Sequence, residues 1–275
     1  MRTLFRLSLL SLLVLLPALA GADTAAIIPL ERAHSHNDYT RTRPLLDALD
    51  VGFCSIEADI YLVDGELLVA HDLKAVRPER TLRAMYLDPL HERVKKNGGR
   101  VYPGGPVVTL LIDIKDDGPT TYVRLREVLK EYADMLTSFT PESAKPGAVT
   151  VIITGNCPRD VMAAEATRLA AVDGRRADLD SDVSANLIPW VSMDWNTVFK
   201  WKAKGDMPAD EAALLHDMVA KAHNKGRRIR FWALPTPAVS WPLLYDNGVD
   251  LLNADNLPAL QKLLLERMDK KSASK

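Results

Sequence analysis

Neither charge is in excess in this sequence: 35 Lys and Arg stand against 36 Asp and Glu, a formal charge of −1 over 275 residues. The densest basic run, Arg227 to Arg230, is itself broken by Ile229. That gives no basis for a nucleic-acid partner. Glycine (14) and proline (17) are at ordinary levels, which excludes collagen-like and low-complexity chains. Long apolar runs are missing as well. Leu7 to Leu16 falls short of the roughly 20 residues that a membrane span needs, and no second stretch does better. Cysteine is nearly absent, with Cys54 and Cys157 alone. No Gly-rich phosphate loop follows any apolar strand, which weakens a nucleotide-binding open sheet. Neither an internal repeat nor a linker divides the chain.

At 47% hydrophobic and 26% charged residues the chain is globular. Its first two dozen residues stand apart. Arg2 and Arg6, then an apolar core, then Ala18-Leu19-Ala20, have the anatomy of a signal peptide over residues 1–22. The alternative is a membrane anchor. With no Cys after the cleavage site, a lipid anchor there is unsupported. The expectation is therefore a secreted or periplasmic protein with one domain over 23–275.

Within that domain, Val- and Ile-rich runs at Ile27–Ala33, Ser55–Leu62, Val107–Ile114, Val149–Thr154, Leu187–Met193, Ile229–Leu234 and Val249–Ala254 predict buried strands. Helical spacing lies between most of them, as at Thr81–Lys96, Thr120–Leu136, Arg159–Ala171 and Pro208–Asn224. Asp64-Gly65 between two apolar runs predicts a hairpin. Continuous apolar strands alternating with helices imply a parallel sheet covered by helices. Seven strands, with an irregular eighth near Trp195–Trp201, suit a (β/α)8 barrel, for which roughly 250 residues are typical. In such a sheet Cys54 and Cys157 fall at opposite ends, beyond the ~7 Å Cα reach of a disulfide. Both are expected as free thiols.

Barrel chemistry sits where strands end, and four strand regions end in costly residues. These are His34-Ser35-His36-Asn37-Asp38-Tyr39, Glu57-Ala58-Asp59 with His71-Asp72 on the hairpin return, Asp113-Ile114-Lys115, and Asn253-Ala254-Asp255. Alternation puts Glu57 and Asp59 on one face, and likewise Asp113 and Lys115. Three carboxylates converging at one mouth would repel by roughly 4 kcal/mol per pair at ~4 Å and an effective dielectric near 20. Either some protonate or a divalent cation holds them together. Oxygen-only ligands favour Mg²⁺ or Ca²⁺ over zinc. The plainer alternative is solvated carboxylates paired with arginines.

The run Ala33-His34, Ser55 to Asp59, Asp64-Gly65 and Val69-Ala70-His71-Asp72 resembles the signature of glycerophosphodiester phosphodiesterases. Leu111 to Lys115, Arg230-Phe231-Trp232 and Gly248 to Asp255 follow in that superfamily's order. The His-Ser-His-Asn-Asp-Tyr opening departs from the usual His-Arg-Gly and is closer to the altered-inheritance-of-mitochondria branch of the phospholipase-C-like phosphodiesterases. The His-x-x-Asn and Asp-x-Lys elements are also similar to venom sphingomyelinase D enzymes. The resemblance implies Glu57, Asp59 and Asp113 as ligands of one divalent cation, His34 and His71 as the acid/base pair, and Lys115 as a phosphate-binding cation. It implies a small-molecule or lipid phosphodiester substrate, a lipid one bringing peripheral membrane contact. The family's Pro-Glu-Asn-Thr box is missing near Pro44.

Several residues carry two readings. His36, with Asn37, is read as a substrate contact, or as half of a His34-x-His36 metal pair of the amidohydrolase kind; no later strand ends in the further histidines that such a site needs. Trp232 is read as a substrate wall or a core aromatic. Asp194 and Asp255 are read as substrate contacts or helix caps. A non-catalytic phosphodiester-binding barrel is the third class.

Overall fold

A computed structural model describes residues 26–273. Nine strands form its main sheet: β1 (Leu30–Ser35), β2 (Phe53–Val63), β3 (Glu66–Val69), β4 (Val108–Ile114), β5 (Val149–Gly155), β6 (Ala170–Gly174), β7 (Trp190–Asp194), β8 (Arg228–Trp232) and β9 (Leu251–Ala254). Eight of them pair in parallel in the order β1-β2-β4-β5-β6-β7-β8-β9, and β9 returns to β1, closing a barrel. β3 is the antiparallel return of β2. Its turn uses Asp64 (φ 49°) and Gly65 (φ 84°), the paired left-handed residues of the tightest hairpins.

Helices α1 (Leu46–Asp50), α2 (Asp88–Lys96), α3 (Gly118–Lys130), α4 (Arg159–Ala163), α5 (Trp195–Val198), α6 (Ala209–Asn224) and α7 (Pro237–Asp246) lie between strands, and α8 (Leu257–Ala273) follows β9. α3 shows how the sequence makes them. Asp117 caps it by accepting from the Thr120 N–H at 3.0 Å. Tyr122, Leu125, Val128 and Leu129 then form a buried stripe at helical spacing. Each such leucine contributes on the order of 1.5–3 kcal/mol by leaving water.

Two strand readings change. The eighth strand is β6, inside the segment read as one long helix from Arg159; α4 ends at Ala163. Ala-Ala-Val-Asp-Gly carries a single β-branched residue, so its strand character comes from pairing with β5 and β7 on either side. The Trp195–Trp201 region is no strand. It opens with α5, and the Asp194 side chain caps that turn by accepting from the Asn196 N–H. Cys54 and Cys157 are unpaired thiols.

Inside the barrel, Leu111, Ile152, Ala171, Trp190 and Leu251 pack with Phe139 into an apolar plug. Phe139 reaches it from the ribbon Ser138–Phe139/Ala144–Lys145, which is tied to Arg168 just before β6. This plug is the floor beneath the polar mouth. Leu111→Ala should lower unfolding free energy in urea by about 2–5 kcal/mol, the usual cost of a buried leucine cavity; a loss below about 1 kcal/mol would show that the floor is not packed as described.

Candidate active site

Above that floor every second residue is polar. The register sets Asp59 beside Asp113 and Asp113 beside Thr154. It sets His34 between Ser55 and Asn253, and Arg230 beside Ser192. A cavity of about 740 Å³ opens here, lined on one side by His36, Asn37, Glu57, His71, Asp113 and Lys115. Thr154, Asp173, Arg175, Ser192, Arg230 and Trp232 line the other.

Glu57, Asp59 and Asp113 each offer an oxygen within 4.8 Å of the other two. Among the described residues this is the one group of three or more His, Cys, Asp or Glu with such spacing. Lys115 Nζ bridges Asp113 Oδ2 at 2.8 Å and Asp59 Oδ2 at 3.0 Å. The opposite oxygens, Asp59 Oδ1 and Asp113 Oδ1, are buried without a hydrogen-bond partner. Two unpartnered anionic oxygens beside a third carboxylate fit a hard divalent cation of the Mg²⁺ or Ca²⁺ type.

Gly155, at the end of β5, makes room for this. A Cβ there would stand 2.0 Å from Asp113 Oδ1, and its φ of +68° already favours glycine. Burial, first of all, raises the pKa of both aspartic acids; for Asp59 the neighbouring Glu57 charge adds to it. Burial also opposes the charge on Glu57, but Arg230 and the His34 hydrogen bond outweigh it and hold that carboxyl well below the usual range. Arg230 approaches Glu57 Oε2 at 3.3 Å and Asn253 Oδ1 at 2.7 Å. Lys115 is likewise opposed by burial, and Asp113 and Asp59 keep it charged.

The two histidines of the first strand end differ in depth. His34 is fully buried, and burial, with the Arg230 charge behind it, pushes its pKa down to about 3. It is therefore neutral, and the Glu57 carboxylate can only accept. So Nε2–H donates to Glu57 Oε2 (3.3 Å), and the Ser55 hydroxyl donates to Nδ1 (2.7 Å). Both its nitrogens are occupied below the cavity. His36 lies at the cavity wall, and its Nδ1 meets Asp255 Oδ1 at 3.0 Å. His34 and His36 thus do not converge as a His-x-His pair. His71, from the hairpin return, places Nδ1 3.1 Å from Asp59 Oδ2 and 3.0 Å from the Tyr39 hydroxyl.

Sequence reasoning gave no role to Tyr39, whose hydroxyl lies 2.7 Å from Asp59 Oδ2 and 2.6 Å from Asn37 Oδ1. Burial and then Asp59 raise its pKa, so it stays a donor. Arg230, Gly155, Asp173, Arg175 and Ser192 were also missed as site residues. The signal for Arg230 was a charge at an inward position of an apolar strand. For Asp173 and Arg175 there was no signal once β6 had been read as helix. Asp255 is not a cap; the cap role falls to Asn256, which accepts from the Ala259 N–H. Gly155→Ala should weaken Mg²⁺ or Ca²⁺ binding at least about tenfold by calorimetric titration, since the added methyl displaces one ligand; unchanged affinity would remove Asp113 from the ligand set.

Residues 22–103 and 101–172 match the family model described as AIM6-like phosphodiesterase domain. The chain is 32% identical over 266 residues to "Altered inheritance of mitochondria protein 6 homolog" of Arthroderma benhamiae, covering 86% of this chain and 84% of that protein. It is 32% identical over 269 residues to "Altered inheritance of mitochondria protein 6" of Eremothecium gossypii, covering 85% and 69%. Among solved structures, the fold is similar to a calcium-dependent phosphoinositol-specific phospholipase C from a Pseudomonas species. That match has a TM-score of 0.55 and 12% identity and covers 81% of this chain and 88% of that one. A glycerophosphodiester phosphodiesterase of Parabacteroides distasonis matches with a TM-score of 0.51 and 15% identity, covering 86% and 99%. The relatives are named for mitochondrial inheritance, which points to an intracellular setting and overturns the expectation of export. The leader on which that expectation rested lies outside the described residues, and a short basic and apolar segment does not by its composition specify one compartment. The barrel, the acidic rim and the sequence match agree that the chain belongs to the family of AIM6-like phosphodiesterase domains.

Proposed function

We infer that the protein is a phosphoric diester hydrolase that depends on one divalent cation, acting on a glycerophosphodiester or phospholipid-type substrate. The observation that carries this reading is the pair of buried, unpartnered oxygens on Asp59 and Asp113, set beside Glu57 with imidazoles on the cavity wall. A cation held by these three carboxylates would neutralise charge on the phosphoryl oxygens as the leaving alkoxide departs. Lys115 binds the same phosphate, and Asn37 and Trp232 contact the rest of the substrate.

Proton transfer falls to His36 and His71. Nδ1–H of His36 donates to Asp255 Oδ1 at 3.0 Å, which leaves Nε2 as its free nitrogen. The Asp59 and Tyr39 oxygens engage Nδ1 of His71 in the same way. One free nitrogen accepts a proton from the attacking water or substrate hydroxyl, and the other gives one to the leaving oxygen. His36 thus takes the place that spacing had given to His34, which holds Glu57 from below. The domain spans the described barrel as one catalytic unit.

Hydrolysis of bis(p-nitrophenyl) phosphate should stop on adding chelator and return with Mg²⁺ or Ca²⁺; recovery with Zn²⁺ alone would contradict the oxygen-ligand reading. Separately, His36→Ala and His71→Ala should each lower kcat by about 10²- to 10⁴-fold with near-normal melting. A His36→Ala protein at wild-type rate would return the role to His34.

A further inference from the structure

The half of the cavity away from the carboxylate trio is also built, and apart from Arg230 and Trp232 the hydrolase reading gives its residues no role. Asp173 and Ser192 each expose only 2% of their surface, and both line the cavity. One oxygen of Asp173 is satisfied: Oδ2 accepts from Thr154 at 2.7 Å and Arg175 at 2.9 Å. The other, Oδ1, has no partner, and neither does Ser192 Oγ. Burial raises the Asp173 pKa, and the Ser192 hydroxyl, close enough to act the other way, closes no hydrogen bond of ordinary geometry with it. Arg175 also donates to Thr154 Oγ1 at 3.1 Å, which fixes the group as a unit. Buried polar atoms left without partners on a cavity wall are positions where a ligand's polar atoms belong.

The geometry points to a subsite for a polyhydroxylated headgroup, its hydroxyls donating to Asp173 Oδ1 and pairing with Ser192 and Arg175. Hydroxyls suit this wall because each both donates and accepts. A quaternary ammonium has no proton for either orphan atom. A primary ammonium would face the Arg175 and Arg230 guanidiniums, both of which already act on Asp173. The spacing agrees. Thr154 adjoins Asp113 in the sheet, and Asp173 lies one strand further on, about 10 Å around the rim at ~4.8 Å per strand. A phosphate followed by one ring-sized group spans that distance.

This subsite rests on the phosphodiesterase reading for its orientation, so the test separates the two. Full-length protein is assayed with p-nitrophenyl myo-inositol phosphate and p-nitrophenyl phosphorylcholine, which differ in headgroup alone. Binding of both is also measured by ligand-detected NMR with chelator present. Wild type should favour the inositol diester at least about tenfold in kcat/KM and in binding. Ser192→Ala and Asp173→Asn should each bring that ratio close to one. Equal binding of the two diesters by wild type, or a ratio that survives in both folded variants, would overturn the subsite. Selective binding without turnover of either diester would overturn the hydrolase reading and leave the subsite standing.

Discussion

Three carboxylates within 4.8 Å of one another inside a protein repel by several kcal/mol per pair unless positive charge is set among them. Four groups at the rim answer that constraint. Arg230 reaches across the barrel to Glu57, and Lys115 rises beside Asp113 to span both aspartates. His34 hydrogen-bonds Glu57 from underneath, and Tyr39 does the same for Asp59 from the first loop. The barrel holds these groups in place because they sit on strands of fixed register or just beyond their ends, over a floor of apolar side chains. What the protein's own groups leave unanswered is one oxygen on each aspartate.

The same accounting divides the cavity. The β1, β2 and β4 side gathers acidic residues and imidazoles suited to a phosphate and a cation. The β5 to β7 side offers a carboxylate, a hydroxyl and a guanidinium suited to an uncharged headgroup. Thr154 connects them, standing beside Asp113 in the sheet and donating to Asp173. On the proposed reading, chemistry and selectivity are neighbours on one rim and are carried by different strands.

Much of this was legible in the sequence, for identifiable reasons. Buried parallel strands write themselves as Val- and Ile-rich runs, and a carboxylate at the end of such a run is conspicuous, so Glu57, Asp59 and Asp113 stood out. The Asp64-Gly65 turn folds the chain back after Asp59, so the hairpin return ending in His71 was legible too. The choice between His34 and His36 was not legible. They share a strand face two residues apart, roughly 7 Å along the strand, and depth alone makes one a buried neutral support and the other a cavity residue. β6 was hidden because alanine and glycine take their conformation from neighbours, and with it went Asp173 and Arg175. Gly155 could be recognised only once a neighbouring carboxylate was seen to occupy the space where its side chain would be.

The most direct test is crystallographic. Crystals soaked in Mn²⁺ and measured at its absorption edge should show one anomalous peak within coordination distance, about 2.0–2.4 Å, of oxygens from Glu57, Asp59 and Asp113. No peak at that rim, or a peak held by imidazoles elsewhere, would contradict the account.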